Sequence, residues 1–406
     1  MGGHNLAKPA VDPSLFPLDP EVVFLNHGSF GSCPIEVLEH QNQLRLELEK
    51  QPVRFLGRNL EGMLDQARDS VAKFVGADLE DLILVPNATS GVNTVLRSIP
   101  IEPGEELLVT DHEYNACRNA IHYAAEKRRA KVVTVEIPFP LNSPEEVIEA
   151  VMEKVTDKTR LFLIDHVTSP TGLILPVEEI IGRLSCRGID TFVDGAHAPG
   201  MIQVNIEALG AAYYTANCHK WMCAPKTAAF LWVRNDKKEN IRPLTISHGA
   251  NSKRTDRSGF QIEFAWMGTR DPTAILSVPR VLEYLEGLLP GGWPEIMDRN
   301  RHLALAARKL LCDTCNIPFP CPDSMIGSMV SIPLVDSRED FVPQSPLFLD
   351  YLQDELMERC NIEIPVIPWP AFPKRLIRLS AQLYNCLPQY DLLTEGIQEL
   401  VVESVA

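Results

Sequence analysis

The sequence predicts an α/β fold, in which a large domain with a mostly parallel sheet is followed by a smaller α+β domain. Short apolar, β-branched runs alternate with helical patterns between residues 82 and 233. The apolar residues in these runs are consecutive and do not alternate with polar ones, as in strands that helices cover on both faces. The segment 287–292 is rich in Pro and Gly, and such a break is poorly tolerated inside a helix or strand. The 406 residues are enough for two domains.

Seven strands are predicted in the large domain. They cover residues 82–85, 106–110, 131–135, 161–164, 191–193, 213–215 and 229–233. Helices are predicted from about residue 90 and over 116–128, 145–154 and 178–186. After the break we expect helices near 295–312, 347–359 and 391–403, with strands near 328–334 and 376–380. The predicted domains are an N-terminal arm (1–30), the large domain (31–285) and the small C-terminal domain (286–406).

The composition argues against several classes of protein. Lys and Arg number 38 against 54 Asp and Glu, and the net charge of −16 repels nucleic acid. No stretch approaches the roughly 18 apolar residues of a membrane helix, and no signal-peptide pattern is present. The ten cysteines are scattered, which is typical of reduced thiols in the cytoplasm. Cys312, Cys315 and Cys321 lack the fourth ligand of a structural zinc, so we expect no metal there.

An acid and a lysine follow two of the predicted strands. Asp194 follows the run 191–193, and Lys220 follows the run 213–215. Pyridoxal 5′-phosphate (PLP) chemistry requires such a pair. A lysine amine forms a Schiff base with the cofactor aldehyde, and a carboxylate keeps the pyridine nitrogen protonated. The two residues therefore indicate a PLP-dependent enzyme.

Two further segments can complete a cofactor site. Thr89 and Ser90 lie between a strand and a helix, where hydroxyls, backbone N–H groups and the helix N-terminus favour a phosphate. The same residues would also serve as an ordinary N-cap. His112 follows the next strand. We expect His112 to stack on the pyridine ring, with Tyr114 as the second candidate.

Several blocks of the sequence together resemble the class V aminotransferase superfamily of PLP-dependent enzymes, in its isopenicillin N epimerase-like branch. The blocks are residues 24–31, 87–91, 111–115, 193–197, 219–220 and 268–271. The resemblance extends from about residue 22 to 390. It implies the PLP-dependent transferase fold (aspartate aminotransferase-like, fold type I), with a seven-stranded, mostly parallel sheet. It also implies a homodimer with shared active sites.

The resemblance assigns roles to single residues. It implies that Lys220 is the Schiff-base lysine, that Asp194 pairs with the pyridine nitrogen and that His197 lies near the ring hydroxyl. The other cofactor contacts that it implies are Thr89, Ser90, Ser169, Asn217, His219 and Thr269. Of these, Thr269 would reach the phosphate of the neighbouring subunit's cofactor.

The substrate is expected to be an amino acid. Arg378 matches the family arginine that binds an α-carboxylate. A guanidinium suits this role because its fork pairs with both carboxylate oxygens. Asn26 and His27 are expected to complete the pocket. Arg54 and Arg58 are candidates for binding a second, distal carboxylate.

The expected reaction begins at the α-carbon, where the amine of Lys220 removes a proton. Return of a proton to the opposite face would make the protein an epimerase or racemase, and return to the cofactor would make it an aminotransferase. Loss of a β-substituent would make it a C–S lyase, which is the alternative. An epimerase needs a proton donor on the far face, for which His112 is the candidate. The segment 364–373 contains no cysteine, which disfavours a desulfurase that forms a persulfide on a mobile loop.

A metal-dependent hydrolase is the alternative from another class. Such an enzyme uses nitrogen and oxygen ligands to activate water. The candidate ligands at strand ends are His112, Asp165, His166, Asp194, His197 and His219. This interpretation leaves Lys220 and Arg378 without a role, so we favour PLP.

Overall fold

The computed structural model describes residues 4–337 and 350–405. The strands in chain order are β1 Val23–Phe24, β2 Leu82–Val85, β3 Glu106–Thr110, β4 Lys131–Val135, β5 Thr159–Asp165, β6 Asp190–Asp194, β7 Tyr213–Asn217, β8 Ala229–Val233, β9 Met329–Leu334, β10 Ile362–Glu363, β11 Val366–Pro368 and β12 Arg375–Ser380. The α-helices are α1 His27–Phe30, α2 Ile35–Lys50, α3 Pro52–Arg54, α4 Leu60–Val75, α5 Ala88–Ser98, α6 Asn115–Arg128, α7 Pro144–Lys154, α8 Val177–Ser185, α9 Ile206–Leu209, α10 Gly259–Ala265, α11 Thr273–Leu276, α12 Val278–Glu286, α13 Gly292–Cys315, α14 Tyr351–Cys360 and α15 Leu387–Val405. No helix within the described ranges is long and apolar enough to cross a membrane.

A seven-stranded sheet forms the centre of the fold, in the order β2-β8-β7-β6-β5-β3-β4. All seven predicted strands are present, and the prediction of a mostly parallel sheet is confirmed. Only β8 runs antiparallel to its neighbours β2 and β7. Asp194 lies opposite both Asp165 of β5 and Thr215 of β7. The carboxyl ends of β5, β6 and β7 therefore meet at one edge of the sheet, where ligands bind in such folds.

The inner strands contain consecutive apolar residues because both faces of the sheet are covered. In β3, Leu107 and Val109 belong to the same buried cluster as residues of α5 and α6. Leu108, between them, belongs to the cluster on the other face, which includes residues of α7 and α8. Successive side chains of a strand point to opposite faces, so every position must be apolar when helices cover both.

The C-terminal part has its own three-stranded antiparallel sheet, in the order β11-β12-β9. The predicted strands near 328–334 and 376–380 correspond to β9 and β12. The predicted break at 287–292 falls between α12 and α13. Strand β1 pairs in parallel with β10, so the N-terminal stretch is tied to the C-terminal part. The predicted domain boundaries stay a prediction.

Candidate active site

A cavity of about 350 Å³ lies at the carboxyl ends of β5, β6 and β7. Its walls are Gly28, Ser29, Phe30, Asn87, Ala88, Thr89, Tyr114, Asp165, Ser169, Asp194, Ala196, His197, Asn217, His219, Lys220 and Arg378. Eight of the residues that the sequence predicts for the cofactor or substrate are in this set. The volume is within the range of small-molecule sites.

Lys220 presents its amine to this cavity. Burial lowers the pKa of Lys220 to about 8, although Asp194 acts in the opposite direction. The Nζ atom lies 2.8 Å from Nε2 of His197. A lysine with a lowered pKa carries a larger neutral fraction near neutral pH, and a neutral amine is the nucleophilic form.

Asp194 is buried at the end of β6. Its Oδ1 accepts a hydrogen bond from the N–H of Ala196 at 2.9 Å, and its Oδ2 accepts one from Sγ of Cys117 at 3.2 Å. Burial raises the pKa of this carboxyl, and the hydrogen bonds from Ala196 and Cys117 oppose the rise. A protonated pyridine nitrogen would supply the cation that a buried carboxylate needs, so Asp194 fits that end of PLP.

Two more buried carboxyls lie beside Asp194, and the sequence did not point to their grouping. Asp165 lines the cavity and Glu113 lies behind it. Burial and the neighbouring carboxyls raise the pKa of both well above the ordinary value. Oδ2 of Asp165 and both oxygens of Glu113 lack a hydrogen-bond partner among the described residues. The position of Asp165 as the last residue of β5 was the one available signal.

The first turn of α5 forms the wall that suits a phosphate. Asn87 caps the helix, because its Oδ1 accepts hydrogen bonds from the N–H and the hydroxyl of Ser90 at 2.8 and 3.0 Å. Thr89 lines the cavity, whereas Ser90 does not. Oδ1 of Asn217 accepts a hydrogen bond from the N–H of Ala88 at 2.9 Å. Asn217 therefore connects β7 to the start of α5.

His219 and Thr269 differ in their relation to the cavity. His219 lines it, and its Nδ1 lies 3.0 Å from the carbonyl oxygen of Ala228. Burial lowers the pKa of His219 to about 4, so the ring is neutral and Nδ1 is its donor. Thr269 is exposed and lies outside the cavity of its own chain.

His112 does not line the cavity, contrary to its predicted stacking and proton-donor role. Its ring is completely buried, with Nδ1 at 2.8 Å from Oγ1 of Thr171 and Nε2 at 3.0 Å from the carbonyl oxygen of Ile137. Burial lowers its pKa to about 4. With no exposed surface, the ring of His112 has no face open to the cavity. Tyr114, the second candidate, lines the cavity instead.

Asn26 and His27 also lie behind the cavity wall and not on it, contrary to their predicted substrate contacts. His27 is completely buried, with Nδ1 at 2.7 Å from the hydroxyl of Tyr384 and Nε2 at 3.1 Å from the carbonyl oxygen of Lys220. Asn26 donates a hydrogen bond to Oε1 of Glu363 at 3.2 Å. The two side chains therefore hold the cavity wall together.

The turn after α1 passes directly beneath the lysine. Gly31 has a φ of 70°. A Cβ atom there would lie 2.4 Å from the carbonyl oxygen of His219. Only glycine allows both this backbone conformation and this close approach.

Arg378 reaches the cavity from β12. Its Nη1 donates to the carbonyl oxygen of Ser169 at 2.7 Å and to its Oγ at 3.3 Å, and its Nη2 donates to Oγ of Ser29 at 2.8 Å. Nε has no partner among the described residues. Burial lowers the pKa of Arg378 to about 10. The Nε–H and the second Nη2–H form one edge of the guanidinium, and that edge matches a carboxylate.

A second cavity, also of about 350 Å³, adjoins the first. Ser29, Tyr114, Ser169 and Arg378 line both. The segment 365–370 forms the far wall of the second cavity. A ligand held by Arg378 can therefore extend from one cavity into the other.

The ligands suggested for a metallohydrolase do not converge. Within 4–337 and 350–405, two groups of three possible ligands lie close enough to share an ion: His4 with Asp298 and His302, and Glu113 with Cys117 and Asp194. Neither group contains more than one of the six candidate ligands. The amine, carboxylate, helix N-terminus and guanidinium around the first cavity instead match the donor set that PLP and an amino acid require.

Comparison with known families decides the class of the protein. The aminotransferase class-V family matches residues 33–337. The chain belongs to the class V aminotransferase family. As the resemblance implied, it is a PLP-dependent enzyme that acts at the α-carbon of an amino acid. This result does not support the metal-dependent hydrolase.

Relatives in the class V family include two kinds of enzyme. The chain is 33% identical over 402 residues to the isopenicillin N epimerase of Streptomyces clavuligerus, with 95% of this chain and 96% of that protein covered. It is 29% identical to the probable chloroplastic L-cysteine desulfhydrase of Arabidopsis thaliana, with 94% and 84% covered. The structure of the cysteine desulfurase CsdA of Escherichia coli matches with a TM-score of 0.75 at 18% identity, covering 96% of this chain and 98% of that one. This structural likeness confirms the fold type.

Proposed function

We propose that this class V enzyme is an epimerase of an amino acid whose side chain is longer than that of cysteine. The observation that carries the proposal is the second cavity, which adjoins the first at Arg378. A short side chain would leave that space unused. The similarity to an isopenicillin N epimerase over 95% of the chain supports the same choice.

Each side chain around the cavity has a separate role in the proposed reaction. When bound, PLP supplies an electron-withdrawing ring that stabilises negative charge on the substrate α-carbon. Arg378 holds the α-carboxylate, and Thr89 with the first turn of α5 holds the phosphate. Asp194 holds a proton on the ring nitrogen. Lys220, whose neutral amine is favoured by burial, removes the α-proton.

The second proton donor of an epimerase must come from the side opposite the lysine. Lys220 follows β7 and Tyr114 follows β3, and the ends of β6 and β5 lie between them in the sheet. Tyr114 is 46% exposed and lines both cavities. We assign the phenol of Tyr114 this role in place of His112.

The second candidate function is a C–S lyase, in which loss of a sulfur group from the β-carbon follows removal of the α-proton. It requires only the base Lys220, and the L-cysteine desulfhydrase relative of 29% identity favours it. The segment 364–373 contains no cysteine. A persulfide carried on this segment is therefore not part of the proposal.

The decisive experiment offers the holoenzyme a series of L- and D-amino acids of increasing side-chain length in deuterated water. Deuterium at Cα with inversion, strongest for the long side chains, supports the proposal. Pyruvate and sulfide from cysteine would replace it with the lyase. Dependence of turnover on a keto acid would replace it with an aminotransferase.

Two variants test the assignment of the lysine and the second cavity. After borohydride treatment and digestion, the cofactor mass should stay on the peptide with Lys220. It should be lost in Lys220→Ala and kept in the control Lys226→Met, because Nζ of Lys226 donates a hydrogen bond to the carbonyl oxygen of Gly31 at 2.9 Å, outside the cavity.

Ile367→Phe narrows the second cavity, and we expect it to raise KM about tenfold for long substrates only.

We also propose a homodimer in the cytoplasm. Thr269 is exposed and outside its own cavity, as expected of a residue that reaches the phosphate of another subunit. Arg54 and Arg58 are exposed too and are proposed to face a distal substrate carboxylate across the dimer. All ten cysteines are free, which suits a reducing compartment. Sedimentation of the holoenzyme as a monomer would refute the shared site.

A further inference from the structure

Trp221, His197 and Lys220 form a chain of contacts that the proposed mechanism leaves unexplained. The indole Nε1 of Trp221 lies 3.3 Å from Nδ1 of His197. Nε2 of the same imidazole lies 2.8 Å from Nζ of Lys220. Trp221 is 1% exposed and His197 is 2% exposed. Water therefore has little access to either nitrogen of the imidazole.

The contacts determine where the imidazole proton is. An indole nitrogen can only donate a hydrogen bond, so Nδ1 of His197 must be the acceptor. Burial, with the positive charge of Arg378 acting in the same direction, holds the pKa of His197 well below its usual range, so the ring is neutral. A neutral imidazole carries one proton. With Nδ1 accepting, that proton is on Nε2 and points at the nitrogen of Lys220, which can accept it only as the neutral amine.

We propose that Trp221 is a positioning residue that fixes His197 in its Nε2–H form, so that the imidazole always donates towards the nitrogen of Lys220 and the group bound there. The opposite tautomer would present a lone pair to Lys220. That lone pair would accept a hydrogen bond from a protonated amine and favour the charged form. The indole thus favours the neutral form of Lys220 without touching it. The assignment deepens the proposed function, since the neutral amine is the form that binds PLP and removes the α-proton.

The surroundings hold Trp221 in this orientation. Its indole packs against the ring of His27, with ring centroids 4.9 Å apart. Nε2 of His27 lies 3.1 Å from the carbonyl oxygen of Lys220. The backbone of Lys220 and the indole after it are therefore fixed to the same buried histidine, and the distance between the indole and His197 is set by the fold.

Other ionisable groups also act on the two titrating residues. Asp194, Asp165, Cys117 and Arg378 act on Lys220. Arg378 and His27 act on His197, in addition to Lys220. A change confined to the indole nitrogen leaves all of these groups in place, so its effect can be assigned to the tautomer.

The first test uses the cofactor-free protein labelled with ¹⁵N-histidine. We expect the ¹⁵N chemical shifts of His197 to be those of a neutral ring protonated on Nε2, with assignment from His197→Gln. Replacement of Trp221 by β-(3-benzothienyl)alanine keeps the bicyclic shape and removes the N–H. We expect that replacement to produce the Nδ1–H form or a mixture. An unchanged Nε2–H form would overturn the proposal.

The second test measures the amine itself. The pH dependence of reductive methylation of Lys220 with ¹³C-formaldehyde, followed by NMR on cofactor-free protein, reports its pKa. In Trp221→Phe we expect that pKa to rise, and the neutral fraction at pH 7 falls about tenfold for each unit of the rise. The same change in the His197→Gln background should have no effect, because an amide has no tautomer.

A rise of equal size in both backgrounds would show that Trp221 acts by packing and would overturn the proposal. Neither readout needs PLP or a substrate. The tautomer assignment can therefore fail while the enzyme remains an epimerase, and it can hold if the holoenzyme proves to be a lyase.

Discussion

Replacement of Arg378 by lysine gives the sharpest test of how substrate is held. Nε of Arg378 has no partner among the described residues, and together with Nη2, which has two N–H groups and one partner, Ser29, it can make two charge-assisted hydrogen bonds to a carboxylate. Lysine keeps the positive charge and can replace one of them. One lost bond of this kind corresponds to about 1.5–3 kcal/mol, or a fall of about 10- to 150-fold in kcat/KM.

The assay compares each substrate with the amine that lacks its α-carboxylate. In the wild-type enzyme the carboxylate should improve binding, measured by titration of the cofactor absorbance of the holoenzyme. In Arg378→Lys we expect that advantage to shrink by the same 10- to 150-fold, about one charged hydrogen bond, while binding of the amine stays unchanged. Ser29→Ala is the matched control, because it removes one acceptor of Arg378 and keeps the guanidinium. Equal losses for the amino acid and the amine would refute the role of Arg378.

Four further outcomes are expected. Because burial lowers the pKa of Lys220 to about 8, the rate of covalent PLP attachment should rise with pH and reach half its maximum near that value; a profile centred near 10 would contradict this. Asp194→Asn keeps the shape of the side chain but not its charge, and α-proton exchange measured by NMR should fall about 100-fold or more; exchange at the wild-type rate would exclude its role. Thr89→Ala should raise the Kd of PLP about tenfold by fluorescence titration, since it removes one hydrogen bond to a charged group. Burial lowers the pKa of His112 to about 4 from the ordinary 6.5, so the unfolded chain binds more protons between these values. The contribution of His112 to stability should therefore fall by up to about 1.4 kcal/mol per pH unit between pH 6.5 and 4. His112→Gln should reduce the slope of the unfolding free energy against pH by that amount in urea unfolding, and other buried histidines such as His219 should keep the rest of the slope.

The strands and the functional residues at their carboxyl ends could be predicted because both leave strong local patterns in the sequence. Each strand of the central sheet contains a run of consecutive apolar residues, which follows from burial on both faces. Asp194 and Lys220 were recognisable because parallel strands place their carboxyl ends together. Two strands of the smaller sheet, β9 and β12, were also predicted after the break at 287–292, whereas β11 was not.

The choice between His112 and Tyr114 depends on a turn that the sequence does not determine. One residue, Asp111, separates β3 from His112, and Tyr114 is the N-cap residue of α6, so a small rotation of this turn exchanges the inward and outward side chains. His27 was assigned to substrate for a similar reason. Its partners Tyr384 and Lys220 are distant in sequence, and only the folded chain brings them together.

The stretch from Val23 to Gly31 has a practical consequence for anyone who trims this protein. It precedes residue 33, where the match to the family begins, so removing the N-terminal residues before that position would discard it. The remainder would keep the whole central sheet and its lysine. It would lose His27, whose imidazole contacts the carbonyl oxygen of Lys220, and Ser29, which accepts a hydrogen bond from Arg378. We expect the shortened protein to fold but to be inactive.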